Sequence, residues 1–176
     1  MDLDGTLIKE DLSNLAFSHS LKNHPFKTLF YSLVFLFKGK PYLKDKISKH
    51  FDIPFESLTF NKAALNFVRE VKNRHRVVYL ISGSHQILVD QMGKHLNIFF
   101  ESFGTKDYFN MVGINKVHFI KENLKINDFD YLGNSHKDLP IWKYCKRVIY
   151  TNVSQELKKA IKSLGFEHKE IPANFS

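Results

Sequence analysis

The sequence begins with a short run, DLDGTL at residues 2–7, that constrains the fold more than any other part of the chain. Asp2 and Asp4 lie two positions apart, and side chains two apart on an extended segment point the same way. A strand that ends here therefore directs both carboxylates into one pocket. Gly5 then permits a tight turn with positive φ, and Thr6 can cap the next segment or donate its hydroxyl to an anion. An ordinary surface turn is the alternative, because Asp, Gly and Thr are common turn residues.

Two later segments carry weaker signals. The run RVVYLI at residues 76–81 is apolar and β-branched, which predicts a strand, and it leads into Ser82 and Gly83. Lys116 lies near the start of a helical pattern at residues 113–120. A Ser-Gly pair after a strand is also typical of a turn or helix N-cap, and most of the 26 Lys and Arg side chains are expected to be surface charges.

A fourth segment is more specific. The run FDYLG at residues 129–133 predicts a strand, and NSHKDLPIW follows at residues 134–142. Asn134 and Asp138 then lie just past the strand. Asn134 fits the role of a helix N-cap, which does not exclude a second role.

These four segments, in this order, resemble the four motifs of the haloacid dehalogenase (HAD) superfamily of phosphohydrolases. The resemblance implies an α/β fold, a Rossmann-like parallel sheet with a small helical cap inserted between the first and second motifs. It also implies a phosphomonoester hydrolase that acts through an aspartyl-phosphate intermediate. Asp2 would be the nucleophile, and Asp4 would act first as general acid and then as general base. A dehalogenase is disfavoured, because halide displacement does not need the acid that Asp4 supplies.

The resemblance assigns two further sets of residues. The phosphate-binding set is Thr6, Ser82, Gly83 and Lys116, and the Mg²⁺-binding set is Asp2, Asp4, Asn134 and Asp138. Asn134 departs from the family pattern, since many members carry an acid at that place. An amide oxygen brings no charge, so we expect weak Mg²⁺ binding unless Asp138 compensates.

A closer resemblance, carried mainly by the segment 131–142, is to the HAD domain found ahead of membrane-embedded UbiA-type prenyltransferases. It implies either a polyprenyl-linked sugar phosphate or a small phosphomonoester as substrate, and a membrane prenyltransferase as partner. No run after Trp142 reaches the roughly 18 to 20 apolar residues that span a bilayer. The rival hypothesis is a catalytically weak or inactive HAD module that binds a phosphorylated lipid or such a partner.

Composition sets wider limits. A chain of 176 residues that is 43% hydrophobic suits one globular unit with a small insertion. The lone Cys145 excludes an internal disulfide and is expected to be a packed core thiol, which fits a cytoplasmic protein. The net charge of +8 favours an anionic substrate or a peripheral position on a membrane. Nucleic acid is not expected as a partner, because the lysines are scattered and no recognition motif accompanies them.

The helical insertion between the first two motifs predicts a cap at residues 12–72, with the core domain at residues 1–11 and 73–176. Pro and Gly predict breaks in the cap near positions 24–25, 38–41 and 52–54. Within it, residues 26–37 form an apolar run flanked by lysines. The run is either a buried cap helix or an interfacial segment that admits a lipid-linked substrate.

The first strand is predicted to be truncated, because only Met1 precedes Asp2. In the HAD fold the first motif ends a central strand that is buried on both faces. We therefore expect a gap between the strands that lead to Ser82 and Gly133. We also expect the natural protein to begin upstream with a short apolar run.

Overall fold

The computed structural model describes all 176 residues as a mixed α/β fold. The strands are β1 Tyr79–His85, β2 Glu101–Thr105, β3 Asp130–Gly133, β4 Arg147–Tyr150 and β5 His168–Glu170. The helices are α1 Leu12–Asn23, α2 Pro25–Ser48, α3 Lys62–Asn73, α4 Gln86–Leu96, α5 Ile114–His118, α6 Leu139–Trp142 and α7 Gln155–Ser163. The helical and extended segments alternate after residue 60, as the sequence predicts.

All strand pairs are parallel, and the first residues of the chain join two groups of strands. β1 pairs with β2, and β4 lies between β3 and β5. Between the two groups, the Met1 carbonyl accepts a hydrogen bond from Ile81 N (2.8 Å), and Asp2 N donates to the Leu132 carbonyl (2.8 Å). The start of the chain thus occupies the centre of the sheet and sets Asp2 at its carboxyl edge.

The predicted gap is present and lies at the amino end of this central segment. It is an apolar slot of about 420 Å³, and 15 of its 18 lining residues are hydrophobic. Met1 forms one end, and its ammonium group donates to the Tyr79 carbonyl at 2.8 Å. Burial lowers the pKa of this amino group from 8.0 to about 5. The centre of the sheet is therefore packed at one end and open at the other.

The cap breaks where the sequence predicts. α1 ends at Asn23, and Pro25 occupies the first turn of α2, a position that does not require its missing N–H. Gly39 interrupts α2 with a φ of 77°, a left-handed conformation that favours glycine. Pro41 follows this kink, which divides α2 into two halves.

The division into core and cap remains a prediction, and all three helices of the predicted cap contribute to the main hydrophobic cluster. Ala64, Leu65 and Val68 of α3 belong to the same cluster as Leu3 and Leu80, and so do Leu12 of α1 and Ile47 of α2. Asn61, just before α3, also donates from Nδ2 to Thr151 Oγ1 at 3.1 Å. The helices that project over the site are α1 and α2.

The first half of α2 is exposed, so the buried alternative for residues 26–37 is wrong. Thr28 is the buried residue of this half, whereas Phe26 and Phe37 are 87% and 89% exposed. An apolar run at helical spacing suits a buried or an exposed face equally, and the cap has no further layer to cover this one. None of the helices has both the length and the apolar character that a membrane crossing needs.

Cys145 is buried in the second hydrophobic cluster, as predicted. Its Sγ lies 3.4 Å from the Trp142 carbonyl oxygen and 3.2 Å from the Arg147 carbonyl oxygen, which share its one proton, and burial raises its pKa to about 12. We expect a neutral-pH alkylating reagent to modify native Cys145 at least about 100-fold more slowly than the unfolded chain. Mass spectrometry of timed reactions with and without urea would measure this, and rapid labelling of the native protein would contradict it.

Candidate active site

The carboxyl edge of the sheet opens into a polar cleft of about 480 Å³, here called the active cleft. Of its 20 lining residues only Val112 is hydrophobic. Six of the predicted site residues line the active cleft: Asp2, Asp4, Gly83, Lys116, Asn134 and Asp138. The structure thus brings together side chains from all four motifs, which lie up to 136 positions apart in the sequence.

Asp2 is held by a chain of buried polar groups. Lys116, in the first turn of α5, donates from Nζ to Asp2 Oδ1 at 2.7 Å and to the Tyr131 hydroxyl at 2.8 Å. Tyr131 in turn donates to Asp138 Oδ1 at 3.1 Å. Asp2 Oδ2 accepts no hydrogen bond from the protein, so one oxygen of a fixed carboxylate is available to the cleft.

Burial raises the pKa of Asp2 to about 6, and the Lys116 ammonium opposes this rise. The ion pair keeps the carboxylate charged at neutral pH despite its burial. A charged carboxylate with weak solvation is a stronger nucleophile than one in water, because fewer solvent contacts must be removed before it attacks.

Asp4 has a different environment, two residues on. Asp4 Oδ2 accepts from Ser82 Oγ at 2.7 Å and from Ser84 Oγ at 3.0 Å, while Oδ1 accepts from Leu12 N at 2.9 Å. Burial raises the pKa of Asp4, although these hydrogen bonds oppose the rise. A raised pKa favours the protonated form that a general acid requires.

Ser82 and Thr6 do not line the active cleft in this structure, although the sequence places both in the phosphate-binding set. Both are fully buried. The Ser82 hydroxyl is used by Asp4, and Thr6 Oγ1 donates to Asn134 Oδ1 at 3.2 Å. Here the two hydroxyls orient other site residues, and their role as phosphate ligands stays a prediction.

Asp138 organises the loop that follows β3. Its Oδ2 accepts from Asn134 N and Ser135 N, each at 3.0 Å, and from Ser135 Oγ at 3.2 Å. A Cβ at Gly133 would lie 2.7 Å from the Asp138 carboxylate, so glycine is required for this approach. With Tyr131 on Oδ1, both oxygens of Asp138 are occupied by protein donors.

Gly5 is required by the close approach of Asn134. Its φ is +73°, and a Cβ built there would lie 2.2 Å from Asn134 Nδ2. The turn after Asp4 therefore brings its backbone against the Asn134 amide. The glycine of the first motif and the asparagine of the fourth form one wall of the active cleft.

Lys44 is a site residue that the sequence analysis missed. It lies in the second half of α2 and donates from Nζ to the Gly83 carbonyl and to Asn110 Oδ1, the latter at 3.0 Å. Burial lowers the pKa of Lys44 to about 8. No sequence signal distinguishes this lysine from the others, except that it follows the Gly39 kink. It fixes the cap to the strand end that carries Ser82.

The donor set suits Mg²⁺ only in part. The structure contains no cluster of three or more His, Cys, Asp or Glu side chains placed to hold a metal ion. Asp2, Asp4 and Asn134 nevertheless line one cleft, and carboxylate, carbonyl and amide oxygens are hard donors of the kind that Mg²⁺ prefers. Asp138 would contribute mainly by fixing the Asn134 loop, because both of its oxygens already accept hydrogen bonds.

The chain is similar in sequence to a curated protein over nearly its whole length. No family model matches the chain. The uncharacterised protein y4nM of Sinorhizobium fredii is 29% identical over 174 residues, which cover 97% of this chain. The match covers 33% of y4nM, so this chain spans about a third of the length of that relative.

Comparison of the structure with solved structures gives closer agreement in fold than in sequence. A protein of unknown function from Bordetella pertussis has a TM-score of 0.70, with 13% identity and 95% of both chains covered. A substrate-bound phosphoserine phosphatase has a TM-score of 0.57, with 20% identity over 90% of this chain and 87% of that one.

A HAD-superfamily hydrolase from Ehrlichia chaffeensis has a TM-score of 0.52, with 18% identity over 93% of this chain and 94% of that one. Identities this low show shared architecture and leave the chemistry to be argued from the residues of this chain. On the order of its strands, the position of its cleft and these similarities, the chain has the fold of the HAD-superfamily hydrolases.

Proposed function

We propose that this protein is a phosphomonoester hydrolase that forms an aspartyl-phosphate on Asp2. The observation that carries the proposal is the contrast between two neighbouring carboxyl groups. Asp2 is ion-paired with Lys116 at 2.7 Å, whereas Asp4 has only neutral hydrogen-bond donors and a pKa raised by burial. Two carboxyl groups whose environments differ in this way suit a nucleophile and a general acid.

In the first step, Asp2 Oδ2 attacks phosphorus, and the bond from phosphorus to the substrate oxygen breaks. Asp4 gives its proton to that leaving oxygen, so that an alcohol departs. The Lys116 ammonium lies beside the nucleophile and offsets negative charge on the phosphoryl oxygens. Its link through Tyr131 to Asp138 keeps it in that position.

In the second step, Asp4 is a carboxylate and takes a proton from water. The water oxygen attacks the phosphorus of the aspartyl-phosphate, which releases phosphate and restores Asp2. Ser82 and Ser84 hold Asp4 in one orientation through both steps, because their hydroxyls donate to its Oδ2. Mg²⁺, when bound by Asp2, the Asp4 carbonyl and Asn134, would offset the charge repulsion between Asp2 and the phosphate.

The lining of the active cleft supports a polar phosphate ester. Lys9, Lys40, Lys44 and Lys137 line it in addition to Lys116, and there is no apolar wall for a hydrocarbon chain. A small phosphomonoester fits this description. A polyprenyl-linked sugar phosphate also fits if its sugar phosphate enters the cleft while its lipid stays outside.

A non-catalytic module is the second candidate, and Asn134 favours it. The loss of one acid leaves no cluster of three acidic ligands, so Mg²⁺ could bind too weakly to support turnover. The protein would then bind a phosphorylated lipid, or a membrane prenyltransferase, without chemistry. Intact Asp2, Asp4 and Lys116 favour the hydrolase.

Phosphate release from a panel of phosphomonoesters, measured with Mg²⁺ and with a chelator, tests the proposal. The panel should contain small soluble esters and detergent-solubilised lipid phosphates, which separates the two substrate classes. Chelator-sensitive release from any member supports the hydrolase. No release from the whole panel by folded protein at millimolar Mg²⁺ would leave the binding module as the better account.

Replacement of Asn134 with Asp should raise Mg²⁺ affinity by about tenfold or more, because it adds a charge to a hard-oxygen site. Asn152→Asp is the matched control, because it adds the same charge outside the ligand set. Asn152 is exposed, and its Nδ2 donates a hydrogen bond to the Gly5 carbonyl. Calorimetric titration of both variants measures the effect. Equal affinities would show that residue 134 does not contact the metal.

A further inference from the structure

The first half of α2 carries an apolar face that no other part of the protein covers. The face consists of six large side chains, each at least 56% exposed: Phe26, Leu29, Phe30, Leu33, Leu36 and Phe37. At 100° per residue, their spacing places all six within a sector of roughly 120°. Monomeric soluble proteins expose such side chains singly, so a continuous stripe indicates an interaction surface.

The opposite face of the same half-helix is packed against the protein. Thr28 is fully buried, and its Oγ1 lies 2.6 Å from Ser20 Oγ on α1. Tyr31 and Phe35 also lie toward this side and are only partly exposed. The helix is therefore held in place with its apolar face outward.

The charge around this face has one sign. Between Asp11 and Asp45 the chain has no acidic residue but five lysines, at positions 22, 27, 38, 40 and 44. Lys27 and Lys38 are exposed, and helical spacing places both along one edge of the apolar face, roughly 100° to 120° from Phe26. Such an arrangement complements an anionic, partly apolar surface.

We propose that the apolar face of α2 docks the protein on an anionic lipid bilayer. A helix that inserts Phe and Leu side chains at the acyl boundary and keeps lysines at headgroup level has this pattern. A second copy of the chain is a poorer occupant, because face-to-face pairing would bring the lysine edges and two net charges of +8 together. At about a dozen residues, the apolar run is too short to span a bilayer.

The docked orientation brings the active cleft to the lipid surface. After the kink at Gly39, α2 continues with Lys40 and Lys44, which both line the active cleft. Headgroup phosphates would then lie near its mouth. The docking proposal goes beyond the hydrolase activity and does not depend on it, since lipid binding is measured without turnover.

Flotation with vesicles tests the proposal directly. The probes are phosphatidylcholine vesicles with and without about a third of phosphatidylglycerol, at low salt. We expect the intact protein to float with the anionic vesicles only. The double variant Phe30→Glu, Leu33→Glu should reduce binding more than tenfold, because both the apolar insertion and the charge attraction are lost.

The control is Phe100→Glu, Tyr144→Glu, which adds the same charge at two exposed aromatic positions of the core and should keep most of the binding. Lys27→Gln and Lys38→Gln should each weaken binding by about fivefold. Thermal melts establish that all variants are folded. Absence of flotation, equal loss in the control, or a dimer that the α2 variant dissolves would each overturn the proposal.

Discussion

Replacement of Asp2 with Asn should lower the turnover of any phosphomonoester by at least about 10⁴-fold. The change keeps the shape of the side chain, but a neutral amide cannot form the acyl-phosphate bond. The variant should still fold, because the Lys116 ammonium keeps the Tyr131 hydroxyl at 2.8 Å and has Asp138 Oδ1 at 3.9 Å. Phosphate release, together with a thermal melt, measures both expectations.

Asp4→Asn provides the matched comparison for Asp2→Asn. It keeps the nucleophile and removes the proton donor, so its effect should depend on the leaving group. Alkyl phosphates should lose about 10² to 10⁴ in rate, whereas nitrophenyl phosphate, whose leaving group needs no proton, should lose much less in phosphoenzyme formation. A full rate in Asp2→Asn would exclude the aspartyl-phosphate, and identical losses for both esters in Asp4→Asn would exclude the acid role.

Five apolar, β-branched residues added before Met1 should stabilise the protein by on the order of 5 kcal/mol after the cost of ordering them. They would fill the apolar slot of about 420 Å³ and pair with the edges of β1 and β3 that face it. For a chain of this size, the melting temperature should rise by roughly 10 °C or more. The extension also replaces the buried ammonium at Met1 with an amide.

An extension of five Gly and Ser residues is the control, because it removes the charge at Met1 but adds no apolar side chains to the slot. If the apolar extension melts no higher than this control, the slot does not accept a strand. The contribution of the Met1 charge to stability is measured as the change of the melting temperature with pH. With a folded-state pKa of about 5 against 8.0 unfolded, a free Met1 amino group binds its proton mainly in the unfolded state between these values.

The contribution of the neutral Met1 amino group to stability is therefore complete above about pH 8 and is lost as the pH falls toward 5. The unextended chain should show this decline in its melting temperature. Both extended chains should lack this decline, because neither has a free amino group at Met1. The comparison therefore separates the effect of the Met1 charge from the effect of filling the slot.

Site residues are predictable from the sequence where only a few residue types can fill the role. Lys116 was assigned only through the resemblance to the family motifs, because most lysines are surface charges. The two carboxylates at spacing two and the glycine between strand and turn are recognisable because few other residues serve there. The gap beside Met1 was also predictable, since a central parallel strand needs apolar residues on both faces. In each case, local geometry alone limits the choice of side chain.

Other features depend on the tertiary arrangement and leave no local signal. Tyr131 looks like an ordinary strand residue, yet its hydroxyl links Lys116 to Asp138. The hydrogen bond from Ser82 to Asp4 forms only because two distant chain segments meet at the edge of the sheet. The exposed face of α2 has the same spacing that a buried helix would have, so only the position of neighbouring elements decides between them.

The hydrogen bonds of the active cleft would also determine when the proposed activity can appear during folding. Lys116 contacts Asp2 across 114 positions of the sequence, Asn134 contacts Thr6 across 128, and Ser82 contacts Asp4 across 78. Contacts of such separation form late and slowly, because a long loop must close before they stabilise anything. After dilution from denaturant, activity should therefore recover more slowly than the circular dichroism signal of the helices. Activity would return only when the sheet is complete.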